Sequence, residues 1–200
     1  SYYINKYYIL NHMSKLKVTK LKLEGTYIVE SNPFSDNRGV FSRYFCKNEL
    51  KDIMQNREIL NINYSKNYKK GAIRGLHYQK PPFAETKMPR CIRGKILDIF
   101  VDVRENSKTF LQWDSVILSE ENQKMLFLPE GFAHGIQSLE DNSQILYLST
   151  EYFYSEHEEA LNIKDPRLNI KLPIPVTDIS EKDSNHSFID STKFKGVKIK

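Results

Sequence analysis

Residues 95–104 constrain the chain more than any other stretch. Leu97, Ile99, Val101 and Val103 fall on every second position, and Asp98, Phe100 and Asp102 fill the alternate ones, which is the period of a β-strand. Further short runs of strand type lie at 26–30, 40–45, 60–65, 110–118, 124–128 and 143–150. Turn residues separate them, and no regular alternation of strand and helix suggests a parallel sheet. The pattern predicts an all-β sandwich or barrel. One helix is expected over 47–56, where Leu50, Ile53 and Met54 share a face at three- and four-residue spacing. At 60–65, Leu60, Ile62 and Tyr64 alternate with Asn61, Asn63 and Ser65, which predicts a half-buried strand presenting amides on one face.

A chain of 200 residues that is 40% hydrophobic can bury one core of ordinary size, so a single domain is expected. Residues 1–14 hold four tyrosines without a helical stripe and read as an N-terminal extension. The domain proper then spans 15–190. Lys193, Lys195, Lys198 and Lys200 suggest a solvated basic tail over 191–200. Apolar runs fall short of bilayer length, so no membrane partner is expected. Cys46 and Cys91 are too few for a disulfide framework and lack metal-ligand spacing, which fits reduced thiols in the cytoplasm.

The formal charge of +5 is informative only through its distribution. Between residues 66 and 95, Lys66, Lys69, Lys70, Arg74, Lys80, Lys87, Arg90, Arg93 and Lys95 face the single acid Glu85. That segment encloses Arg74-Gly75-Leu76-His77-Tyr78-Gln79, so a small anionic ligand beside His77 is favoured over nucleic acid. Gly75 would let a ligand approach the backbone, and the planar fork of Arg74 suits phosphate or carboxylate. A second histidine lies in Pro129-Glu130-Gly131-Phe132-Ala133-His134-Gly135.

Two histidines on separate strands of a β-barrel raise the question of a metal. In the metal-binding cupin pattern a second histidine would stand at Gln79. With at most two good ligands where zinc or iron wants three, no metal is expected. Nucleophile elbows and phosphate-binding loops are absent from the sequence. What remains is His77 as a base acting on an anionic substrate that is already activated, such as one with a proton beside a carbonyl, with no cofactor. Lys87 is a candidate to hold the enolate oxygen, and Tyr147 is one of several candidate proton donors.

Taken together, Phe34-x-Asp36-x-Arg38-Gly39, the Arg74–Gln79 motif, Lys87, the Pro129–Gly135 motif, Tyr147, Asp165-Pro166 and Ser180-x-Lys182-Asp183 resemble the dTDP-4-dehydrorhamnose 3,5-epimerases over roughly residues 20–185. The resemblance implies a cupin jelly-roll with one or two short helices, usually a homodimer. Its substrate would be a nucleotide-diphosphate-linked 4-keto-6-deoxy sugar, handled without metal or redox cofactor. By position, His77 would be the base, Asp183 its orienting partner, Lys87 the enolate stabiliser and Tyr147 the proton donor from the opposite face. Arg38 and Arg74 would bind the diphosphate, and His134 would line the sugar pocket. Phe34, Asn61, Asn63, Gln79 and Arg43 complete the expected substrate contacts.

Some positions depart from the family pattern. Arg43 stands where glutamate is common, Asn61 where glutamine is usual, Tyr152-Phe153 where a tyrosine pair is found, and Ile163-Lys164 before Asp165-Pro166 where Trp-Asn is found. These leave the base open between thymidine and guanosine. Inversion at one centre or two, 3,4-ketoisomerisation and binding without turnover also remain open.

Overall fold

The structure is a computed structural model and describes residues 15–199; the expected extension over 1–14 lies outside them. Two antiparallel sheets face each other. In chain order the strands are β1 (Lys17–Lys20), β2 (Tyr27–Glu30), β3 (Phe34–Asp36), β4 (Gly39–Phe41), β5 (Asn61–Asn67), β6 (Ala72–Gln79) and β7 (Lys87–Arg93). They continue with β8 (Lys95–Asp102), β9 (Trp113–Ser119), β10 (Lys124–Phe127), β11 (Phe132–Ser138), β12 (Ser143–Ser149), β13 (Glu158–Ala160) and β14 (Asp178–Ile179). Sheet I runs β1-β2-β10-β7-β12-β5 and sheet II runs β13-β6-β11-β8-β9, with β14 added parallel to β6. This is the cupin jelly-roll that the motifs implied. Two four-residue helices, α1 (Lys51–Met54) and α2 (Glu181–Ser184), complete it.

The alternation in β8 is real, but both of its faces are buried. Ile96 and Phe100 join Cys91, Leu126, Ile136 and Ile145 in the core between the sheets. Leu97, Ile99, Val101 and Val103 instead form the outer face of sheet II, beneath Leu161, Ile163 and Leu168. On the outer face of sheet I, Leu50 and Met54 from the α1 region cover Met88, Met125 and Leu148.

Three expectations are corrected. The helix expected over 47–56 contracts to Lys51–Met54, because Gln55 turns to a φ of +51°, which ends it. At β5 the apolar side chains face outward: Leu60, just before it, is 40%, and Ile62 and Tyr64 within it 64% and 56% exposed. The amide face, Asn61 and Asn63, borders the open cavity on the other side. The lysine-rich terminus is not a solvated tail. Val197 bridges Arg104 in parallel, Phe194 stacks on Phe110, and Phe194 and Ile199 pack against the outer core of sheet II, while their lysine neighbours keep their charges in water.

Candidate active site

Strand β6 carries His77 into the space between the sheets, paired in register with His134 of β11. That register depends on very close backbone approach. A Cβ on Gly75, which has φ of +103°, would stand 2.7 Å from His134 O and Gly135 Cα, and a Cβ on Gly135 would collide with Arg74 O. The room at Gly75 is therefore taken by β11 and not by a ligand, as had been expected.

The C-terminal segment returns to this point through β14, which pairs Asp178 and Ile179 with Ala72 and Ile73 of β6. Ser180 then caps α2, its hydroxyl accepting from the Asp183 N–H at 3.1 Å, the usual role of serine at that position. The cap sets Asp183 against β6. His77 Nε2 lies 2.7 Å from Asp183 Oδ1, and the Gly75 N–H donates to Oδ2 at 3.1 Å. Burial alone would raise the Asp183 pKa, but these hydrogen bonds outweigh it and hold the carboxyl down at about 2. An ionised Asp183 accepts from Nε2–H, which leaves the Nδ1 lone pair of His77 free for the cavity.

Sheet I supplies the opposite wall. Lys87 of β7 and Tyr147 of β12 reach toward His77, and the three residues line both a cavity of about 330 Å³ and an adjoining one of about 180 Å³. Lys87 Nζ is held at 3.0 Å by Glu85 Oε1, whose other oxygen accepts from the Ser149 hydroxyl. His134 Nδ1 lies 3.1 Å from Asp98 Oδ1. Asp98 is completely buried, and desolvation pushes its pKa up against the opposing pull of His134 and Lys87.

The expected site residues divide. His77, Lys87, Tyr147, Asp183, Arg74, His134, Asn61 and Asn63 line the two cavities. Arg74 is aimed by Asn67, whose Oδ1 accepts from its Nε at 2.7 Å. Gln79 also borders the larger cavity, but its amide is engaged with Phe83 O, Tyr152 O and Tyr154 N, so it braces two loops. Phe34 and Arg38 sit on the β3–β4 hairpin, where Arg38 pairs with Asp36, and Arg43 pairs with Glu49; none of the three lines either cavity.

The basic segment disperses as well. Arg90 is buried against the Tyr44 ring with burial pulling its pKa down to about 10, Lys80 pairs with Glu159 and Lys95 with Glu140, which leaves Arg74 and Lys87 to face the two cavities. Sequence reasoning missed Glu85, Asp98 and His186. An acid inside the most apolar strand of the chain was an available signal for Asp98. His186, three residues after Asp183, stands edge-on to His77 with ring centroids 6.4 Å apart.

The chain's relatives share this arrangement's fold over nearly its whole length. Residues 20–191 match the family model for dTDP-4-dehydrorhamnose 3,5-epimerase. The Shigella flexneri enzyme of that name is 35% identical over 181 residues, covering 90% of this chain and 99% of the relative. The crystal structure of dTDP-4-dehydrorhamnose 3,5-epimerase from Bacillus anthracis with TDP and PPi bound superposes with a TM-score of 0.84 at 33% identity, covering 87% of this chain and 99% of that one. The Legionella pneumophila dTDP-6-deoxy-D-glucose-3,5-epimerase in complex with dTDP-4-keto-L-rhamnose gives 0.84 at 30% identity, covering 92% and 99%. With a family match of this extent, the chain belongs to the dTDP-4-dehydrorhamnose 3,5-epimerase family.

Proposed function

We propose that this protein inverts C3 and C5 of a dTDP-linked 4-keto-6-deoxy sugar by removing and returning the protons beside the ketone. The observation that carries the reading is the division of labour across the cavity. A histidine oriented by Asp183 projects from sheet II, and a lysine and a tyrosine project from sheet I. The protons beside a ketone are acidic enough for imidazole once the enolate is stabilised, so the chemistry needs no cofactor. His77 Nδ1 takes the proton while Asp183 stabilises the resulting imidazolium. Lys87, fixed by Glu85, holds the charge that develops on the ketone oxygen. Tyr147 returns a proton from the face opposite His77, which inverts the centre. Arg74 anchors the diphosphate, and the amides of Asn61 and Asn63 line the approach to it.

Incubation with dTDP-4-keto-6-deoxyglucose in deuterated water tests this directly. NMR should show deuterium at both C3 and C5 of an epimerised product. Label at one carbon alone would restrict the enzyme to a single centre, and the absence of exchange would overturn the reading.

The same proposal includes a homodimer. Strand β5 is an edge strand of sheet I and leaves Ile62 and Tyr64 uncovered, an apolar edge that a second copy would bury. Pairing there would also give Phe34 and Arg38 a role, on a hairpin that reaches the neighbouring copy's cavity instead of its own. Sedimentation should give twice the chain mass, and a monomer at assay concentration would refute the dimer. Among the described residues no helix is long and apolar enough to cross a membrane. The free thiols of Cys46 and Cys91 are consistent with the cytoplasm, where sugar nucleotides are available.

A further inference from the structure

We propose that His77, Asp183 and His186 form a capture site for a divalent ion of the zinc class, and that occupancy of this site switches the base off. The regulatory half of the proposal rests on the function proposed above; the binding half does not.

The geometry centres on one oxygen. His77 Nε2 approaches Asp183 Oδ1 from β6 at 2.7 Å, and His186 Nε2 approaches the same oxygen from the end of α2 at 3.5 Å. All three ligand atoms lie within 4.8 Å of one another. Two imidazole nitrogens and a carboxylate oxygen are the protein ligands of zinc sites that keep a fourth position open. Tetrahedral bonds of about 2.0–2.1 Å separate the donor atoms by roughly 3.3 Å. Entry of an ion therefore needs the His77–Asp183 contact to open by about half an ångström, while the His186 contact already has the required length.

His186 has no other evident use for that nitrogen. Its Nε2 is buried and lacks a hydrogen bond of good geometry among the described residues. The backbone of His186 is tied down separately, its carbonyl accepting from Asn162 Nδ2 at 2.7 Å. The edge-on setting of the two rings, 85° between planes, lets both Nε2 atoms converge on Asp183. Position 79, where a metal-binding cupin carries its second histidine, supplies no ligand, since the Gln79 amide is engaged with Phe83, Tyr152 and Tyr154. Three ligands beside the guanidinium of Arg74, which borders the same cavity, make an ion that a chelator removes.

Occupancy would silence His77 through its tautomer. The ion binds through the Nε2 lone pair, so the single ring proton moves by way of solvent from Nε2 to Nδ1. The imidazole then presents an N–H to the sugar where the reaction needs a lone pair.

The test starts from chelator-treated full-length protein titrated with Co²⁺ as a coloured substitute for Zn²⁺. Visible bands saturating at one equivalent are expected. In His186→Ala and His186→Gln the affinity should fall by about tenfold or more. Zn²⁺ should suppress deuterium exchange in the unaltered protein, with recovery on adding EDTA. Both variants, folded by circular dichroism, should resist the same Zn²⁺ concentration, each measured against its own metal-free exchange rate. Failure of the unaltered protein to bind Co²⁺, or unchanged affinity in either folded variant, would overturn the site. Binding without inhibition would overturn the switch. If the metal-free protein shows no exchange at all, it is the proposed function that fails, and the Co²⁺ titration still decides the site.

Discussion

The outer faces of the two sheets are treated differently. Behind sheet II, Leu97, Ile99, Val101 and Val103 are sealed beneath residues drawn from 161–199. At the β5 end of sheet I, Ile62 and Tyr64 lie bare. The sealed sheet carries His77, the proposed base, and the segment that delivers Asp183; the other carries Lys87 and Tyr147 and ends in an open edge. A group whose tautomer and direction must be set by one hydrogen bond thus sits on backbone packed from both sides. Lys87 and Tyr147, proposed to hold the enolate charge and return the proton, sit on β7 and β12, whose outer face the α1 region covers, and β5 beyond them is left open.

The largest test of this contrast is catalytic. His77→Ala should lower solvent exchange by about a thousandfold or more. Tyr147→Phe should retain exchange while losing much of the epimer yield, because proton removal would no longer be followed by delivery from the other face. Equal losses of exchange and epimerisation in Tyr147→Phe would erase the distinction between the walls.

A smaller difference is expected in stability. Ile163→Ala opens the sealed outer core and should cost about 2–4 kcal/mol in denaturant unfolding. Ile62→Ala on the bare edge should change the stability of the isolated chain by no more than about 0.5 kcal/mol, yet weaken self-association. A large loss of chain stability from Ile62→Ala would mean that this edge is covered within one chain.

The last test is a pH dependence. Asp183 has a folded pKa of about 2, below the ordinary value of about 3.9. A depressed carboxyl stabilises the fold above its unfolded pKa, and that contribution disappears as the pH falls toward the folded value. Its size is about 2 kcal/mol. Urea unfolding at pH 6, 4 and 3 should therefore decline less steeply in Asp183→Asn than in the unaltered chain. Parallel declines would show that Asp183 is not the carboxyl held down by His77.

Much of this was legible in the sequence because some residues have meaning in isolation. The alternation of 95–104 states a strand whatever surrounds it, whereas the place of Asp183 comes only from the resemblance of its motif, and the Ser180 cap that sets it is seen in the structure. Side-chain direction in β5 was not legible. Period two says that Ile62 and Asn63 face opposite ways, but which face is inside depends on a cavity assembled from strands far along the chain. Charge misled for a related reason. Arg90 and Lys95 look alike as letters, while one is buried against Tyr44 and the other pairs with Glu140 at the surface. The convergence of His77 and His186 on one carboxylate spans 109 positions and comes about only through the β14–β6 pairing.

The close passage of β6 over β11 has a consequence for how such a site can diversify. Because Gly75 and Gly135 leave no room for a single extra carbon, the spacing between His77 and His134 belongs to the main chain and is out of reach of side-chain exchange. A library randomised at these two glycines should return almost nothing but glycine among active clones. One randomised at Asn63, whose side chain lines the cavity wall, should return many residues and shift which nucleotide is accepted, whereas Asn61 is partly held by its amide donating to Glu151 O. On the proposed function, the spacing the reaction needs is written into backbone and the choice of substrate into replaceable side chains, so new specificities could arise without rebuilding the chemistry.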